Sequence, residues 1–151
     1  MEDPTVLYFS VHRHDDGRFY PAGQYGSFKS AGTGAGEGYS VNLPWPKGGA
    51  GDPENIQGFR RLFMPIARAF DPDLVIISAG FDAAEGDPLG GCRITPPAYD
   101  HMTRELQTLA GGKVIVALEG GYNLVSISKS MAACANALLE GDAPPKERLE
   151  P

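Results

Sequence analysis

The side chains best placed for chemistry are one carboxylate and one phenol, each just beyond a short apolar run. Residues 74–77 read Leu-Val-Ile-Ile, and the chain then passes Ser78, Ala79 and Gly80 to reach Asp82. Residues 113–118, Lys-Val-Ile-Val-Ala-Leu, lead into Glu119, Gly120, Gly121, Tyr122 and Asn123. Runs this short and apolar on both faces predict strands buried between two layers. One helix-sized segment separates them, which predicts a parallel pair joined by a right-handed crossover. Asp82 and Tyr122 then leave the sheet at the same edge, beyond the carboxyl ends of the strands, where open α/β sheets bind ligands. Gly120 and Gly121 let the backbone turn sharply beside such a ligand. A plainer account is also open. Asp82 could cap a turn, with Asp87-Pro88 and Gly90-Gly91 closing a surface loop, and Tyr122 could pack with its hydroxyl bonded to backbone.

Other reactive types carry weaker signals. His12 and His14 lie on one side of an extended segment, but His-x-His lacks a third metal ligand, and Arg13, Asp15 and Asp16 read as a solvated turn. Residues 32–38, Gly-Thr-Gly-Ala-Gly-Glu-Gly, look like a phosphate loop. Glu37 falls where the third glycine of the dinucleotide pattern belongs, however, and no strand leads directly in. Cys92 and Cys134 fit no metal or redox spacing. They read as reduced thiols of a nuclear or cytosolic protein, one on a loop and one on a helix face.

Several elements must position these groups. Residues 5–11 are strand-like, with nothing before them to pair or cover the strand, which suggests that something N-terminal is missing. Residues 17–51 form a long glycine-rich stretch of the kind that is functional or mobile, with a short strand at 39–43 stopped by Pro44 and Pro46. Asp52-Pro53 starts a helix with Asp52 as N-cap. Ile56, Phe59, Phe63, Ile66, Ala67 and Phe70 recur along it at helical spacing, and Pro65 predicts a kink or break near Phe63. Thr95-Pro96-Pro97 starts a second helix with Tyr99, Met102, Leu106 and Leu109 inward, ended by Gly111. Asn123 caps a third, lined by Leu124, Ile127, Met131, Ala135 and Leu138 and stopped by Gly141. Residues 142–151 are charged and Pro-containing, the composition of a disordered tail.

The 151 residues allow one domain with a real core. A net charge of −6 gives no electrostatic footprint for nucleic acid and suits a basic substrate. No apolar run approaches the roughly 20 residues that span a membrane, and Met1-Glu2-Asp3-Pro4 has neither the basic start nor the apolar core of a signal peptide.

Residues 78–91, Ser-Ala-Gly-Phe-Asp-Ala-Ala-Glu-Gly-Asp-Pro-Leu-Gly-Gly, resemble the class II zinc-dependent histone deacetylases, most of all their fungal Hda1-like branch. The likeness continues through Glu119-Gly-Gly-Tyr-Asn, Gly38-Tyr-Ser-Val-Asn-Leu-Pro-Trp and Arg18-Phe-Tyr-Pro, in the family's order and over nearly the whole chain. It implies an arginase/deacetylase-like α/β fold, a parallel sheet flanked by helices. It also implies hydrolysis of the acetyl amide on lysine side chains, histone tails above all, in the nucleus or cytoplasm, with a corepressor complex among the expected partners. By resemblance Asp82 is a zinc ligand and Tyr122 the donor to the oxyanion, while Tyr20, Leu89, Gly120 and Gly121 line the substrate tunnel. Ser10 and Val11 match positions that hold a structural potassium ion, and Tyr39 one near a second. Weakly active relatives carry His in place of the phenol, so Tyr122 points to an active lineage.

The zinc chemistry needs more than this chain offers. The family's tandem histidines and Asp-x-His ligands lie upstream of the matched region, and His12-x-His14 aligns with neither. Catalytic zinc takes about three protein ligands, and one is found here. Residues 1–141 are therefore expected to be the C-terminal part of a deacetylase domain, inactive alone. A non-catalytic regulatory or scaffold fragment docking through an exposed sheet edge, and an acetylpolyamine amidohydrolase, are the competing readings.

Overall fold

A computed structural model of the chain describes residues 2–20 and 22–141; the expected tail at 142–151 lies outside them. The chain divides after residue 49 into two compact units.

In the first unit, β1 (Tyr8–Arg13) and β2 (Ser40–Trp45) pair in parallel, from Tyr8 opposite Ser40 to Arg13 opposite Trp45. The first strand takes its partner from later in the chain, because the long connection between them is enough to bring the chain back in the same direction. Pro44 does not stop β2 but sits inside it, opposite His12. Proline is tolerated in edge strands, and each strand of a two-stranded sheet is an edge.

In the second unit, α1 (Asp52–Gly58) and α2 (Met64–Phe70) are joined by a π-helical turn at Phe59–Phe63. The regular α-helix is thus interrupted next to Pro65, by the π turn rather than by a loop. The Met64 N–H bonds to the Phe59 carbonyl, and this wide turn takes up the crowding a proline ring imposes on the preceding turn. Asp52 is not the N-cap either. Gly51 takes that place, its N–H bonded to the Glu54 carboxylate at 2.9 Å. The Asp52 carboxylate instead accepts from the Thr95 N–H at 2.8 Å and its hydroxyl at 2.7 Å, tying α1 to the start of α3 (Pro96–Gln107).

Between these helices, β3 (Val75–Ala79) pairs in parallel with β4 (Val114–Leu118), Val75 opposite Val114 through Ala79 opposite Leu118. The chain ends its described part in α4 (Leu124–Glu140), capped by Asn123 and stopped by Gly141 in a left-handed conformation. Ile77, Ala79, Phe81 and Val116 pack with Tyr99 of α3 and with Ile127, Met131 and Cys134 of α4. A second cluster joins Ile56, Ile94 and Ala98.

The strands are not buried on both faces as their sequence predicts. Ile76 is 65 % exposed and Ile115 51 %, because the helices cover only the other face. Leu124, placed on the buried stripe of α4 by its spacing, is likewise exposed; Ser130, Cys134 and Ala137 form the buried line.

Candidate functional site

β3 runs into a single helical turn, Phe81–Ala83, and that turn presents Asp82. Phe81 anchors it: its ring is wholly buried and meets Tyr99 edge to face, centroids 5.1 Å apart. The strand ladder continues past both strand ends. The Glu119 N–H bonds to the Ala79 carbonyl at 3.1 Å, and the Phe81 N–H to the Gly120 carbonyl at 2.8 Å. Asp82 and the 119–122 segment therefore stand side by side at the carboxyl edge, as the parallel pairing requires.

The glycines are small for stated reasons. A methyl group on Gly120 would lie 3.5 Å from the Asp82 carboxyl carbon, so the carboxylate rests directly over the Gly120 backbone. A methyl group on Gly90 would fall 1.8 Å from the Asp82 carbonyl oxygen, so only a glycine lets this loop close against Asp82. Gly121 has φ near +134° and would drive a Cβ to 2.7 Å from Ile127 Cγ1. Among the described residues no hydrogen bond restrains the Asp82 carboxylate. The Tyr122 side chain is 60 % exposed at the same edge. A carboxylate without a hydrogen bond can bind a cation, and an exposed phenol at the same sheet edge can donate a hydrogen bond to an oxyanion.

Three side chains tie the loop after Asp82 to the Tyr122 loop. The Asp87 carboxylate accepts from the Leu89 N–H at 2.8 Å, the Gly90 N–H at 3.0 Å and the Tyr122 N–H at 2.7 Å. Burial works to raise its pKa, but these backbone donors, with that of Asn123, outweigh it and hold the carboxyl below its ordinary value. Asn123 Nδ2 donates to the Gly86 carbonyl at 2.8 Å, while its Oδ1 caps α4 by accepting from the Val125 and Ser126 N–H groups. Ser126 Oγ donates to the Glu85 carbonyl at 2.7 Å. Sequence reasoning saw Asp87 only as part of a surface loop and Asn123 only as a cap. The Asx-turn half of Asp87 was legible in its spacing to Gly90; its bond to a residue 35 positions away was not. Beneath the site, the Tyr99 hydroxyl is buried without a hydrogen-bond partner. Burial, and then the charge of Asp82, push its pKa well up.

The other expected site residues are placed as follows. Leu89 is 57 % exposed on the Asp87 loop. In the first unit Tyr20 is 84 % exposed. Ser10 Oγ bonds to His12 Nδ1 at 2.8 Å, Val11 lies opposite Leu43, and the Tyr39 carbonyl accepts from the Tyr8 N–H at 2.9 Å. His12 Nε2 lies 2.9 Å from the Gly26 carbonyl, so both its ring nitrogens are engaged. Both nitrogens of His14 are engaged as well, with the Gly17 N–H and the Gly23 carbonyl. Among the described residues no group of three or more His, Cys, Asp or Glu side chains could hold a metal ion. No described helix is long and apolar enough to cross a membrane.

A histone deacetylase domain model matches residues 1–138. Histone deacetylase clr3 of Schizosaccharomyces pombe is 55 % identical over 138 residues, 91 % of this chain and 20 % of that protein. Histone deacetylase 5 of Arabidopsis thaliana is 52 % identical over 139 residues, 92 % of this chain and 21 % of that one. Histone deacetylase HDA1 of Saccharomyces cerevisiae is 47 % identical over 150 residues, 99 % of this chain and 21 % of that one. The solved structure of the histone deacetylase Clr3 superposes with a TM-score of 0.92 at 53 % identity, covering 97 % of this chain and 24 % of that one. The crystal structure of the HDA15 HD domain gives 0.88 at 54 % identity, over 91 % of this chain and 40 % of that domain. The chain thus spans about a fifth of the length of these curated relatives.

Proposed function

Because the chain belongs to the histone deacetylase family, with that family's α/β fold, we propose that it contributes half of a zinc-dependent lysine deacetylase site. One observation carries this reading. Asp82 and Tyr122, the two reactive side chains that the resemblance assigns, leave adjacent parallel strands at one edge, their loops bonded to each other through Asp87. Tyr122 supplies the phenol that donates to the oxyanion when the acetyl carbonyl becomes tetrahedral. Asp82 supplies one carboxylate toward zinc, and its freedom from hydrogen bonds suits that role. The described residues do not make a zinc site on their own, since catalytic zinc takes about three protein ligands. On this reading the chain needs the rest of a deacetylase domain to hold zinc tightly and to turn over. Leu89, Gly120 and Gly121 belong to the same proposal as walls of the acetyl-lysine tunnel, and acetylated histone tails or other acetyl-lysine proteins as its substrates. So do structural potassium ions, one at Ser10 and Val11 and a second near Tyr39. The Ser10 hydroxyl has lone-pair capacity beyond its bond to His12.

The test is complementation. Mixed with the part of a relative's deacetylase domain that this chain does not cover, the chain is expected to restore hydrolysis of an acetyl-lysine peptide. Tyr122→Phe should then lower turnover about 100-fold or more, the loss typical of one oxyanion donor. Robust, chelator-sensitive deacetylation by the 151-residue chain alone would overturn the half-site reading. Restored activity indifferent to both Tyr122→Phe and Asp82→Asn would overturn the residue roles. The competing reading of a regulatory fragment draws on the absence of a three-ligand cluster among the described residues, and association of the two parts without turnover would favour it.

A further inference from the structure

We propose that Asp87 is a positioning residue that sets the distance between the Asp82 loop and Tyr122. Both of its oxygens are committed. Oδ1 accepts from the Leu89 and Gly90 N–H groups, and this turn delivers Gly90 against the Asp82 carbonyl, where no Cβ fits. Oδ2 accepts from the Tyr122 N–H at 2.7 Å, the backbone of the residue that carries the phenol. Hydrogen bonds to an ionised acceptor are the short and strong ones. One carboxylate thus grips the segment behind the carboxylate of Asp82 and the segment behind the hydroxyl of Tyr122. The Tyr122 side chain is mostly exposed, so its backbone fixes where the phenol can reach. Asn123 and Ser126 reinforce the tie by holding the Gly86 and Glu85 carbonyls of the same loop to the first turn of α4. The catalytic meaning of this tie rests on the deacetylase reading of Asp82 and Tyr122; the tie itself does not.

The experiment is nuclear magnetic resonance on the isotopically labelled 151-residue chain, followed against pH and repeated on Asp87→Asn. Asparagine has nearly the same shape, but its amide can accept on one side only and turns an N–H toward the other donors. In the unsubstituted chain the Tyr122 amide proton is expected to shift together with those of Leu89 and Gly90 as the Asp87 carboxyl titrates, below the ordinary range for aspartate. In Asp87→Asn that shared inflection should vanish. Hydrogen exchange at Tyr122 should rise about 10- to 100-fold, the loss of one charge-assisted bond. Protection at Val116 and Cys134 should stay as before, which separates a local release from unfolding. If Leu89 and Gly90 follow the carboxyl and Tyr122 does not, Asp87 is a local turn and the proposal fails. If all three follow it and no complemented preparation hydrolyses acetyl-lysine, the deacetylase reading fails while the tie stands.

Discussion

A methyl group added at Gly121 and one added at Gly120 meet opposite surroundings, although the two glycines are adjacent and read alike in the sequence. At Gly121 the backbone sits at φ near +134°, a region that residues with a Cβ rarely enter, and the new carbon would lie 2.7 Å from Ile127 Cγ1 and 3.2 Å from Phe81 Cβ. Carbon atoms in good contact are about 3.5–4.0 Å apart, so the overlap is close to 1 Å. Phe81 is wholly buried and cannot yield. Backbone strain of about 1–3 kcal/mol and overpacking of about 1–3 kcal/mol together give a loss of about 4 kcal/mol for Gly121→Ala. At Gly120 the nearest atoms are those of the Asp82 carboxylate, 3.5 to 3.7 Å away, an ordinary contact. Gly120→Ala should therefore stay within about 1 kcal/mol of the unsubstituted chain, the reduced freedom of the unfolded state offsetting some lost hydration of Asp82. Urea unfolding followed by circular dichroism reads the difference. With a slope of about 1.5 kcal/mol/M the midpoint should fall by about 2–3 M for Gly121→Ala and hardly move for Gly120→Ala, the slope itself unchanged. Equal midpoints, or the reverse order, would refute the argument that close approach and φ, rather than mere flexibility, require glycine here.

Asn123→Ala removes the side-chain cap of α4 and the bond to the Gly86 carbonyl; the expected cost is about 1–2 kcal/mol in urea unfolding, and Asn123→Asp, which keeps the cap but loses the donor, should recover part of it. His101 is buried, and that burial, with the nearby Arg60 charge outweighing Glu105, puts its folded pKa below the ordinary 6.5. The unfolded chain then takes up the proton first as pH falls, so stability is full above 6.5 and declines below it. The urea midpoint should drop between about pH 7 and pH 5, and less steeply in His101→Gln; an equal slope in both would remove His101 from the account, leaving His12, which is also lowered by burial, as the main candidate. Cys92 and Cys134 are both buried and neither is in a disulfide, and burial raises the Cys134 thiol. A thiol-specific chromogenic reagent should find neither in the folded chain and both in urea, whereas rapid labelling without denaturant would contradict their packing.

The sequence alone determined what depends on local chemistry. Two apolar runs a helix apart could only pair in parallel, and that put Asp82 and Tyr122 at one edge. Asn123 and Gly141 had to bound α4, since a side-chain acceptor and a left-handed glycine are local requirements. What the tertiary structure decided involves groups far apart in the chain. Apolar periodicity reports what a segment can bury, not what is there to cover it, so Ile76, Ile115 and Leu124 are exposed where their types argue for burial. A proline reports a missing donor, not the π turn that accommodates it at Pro65. The acceptor capacity of Asp87 was visible in its type, but the Tyr122 N–H that uses it arrives only when β3 and β4 lie side by side.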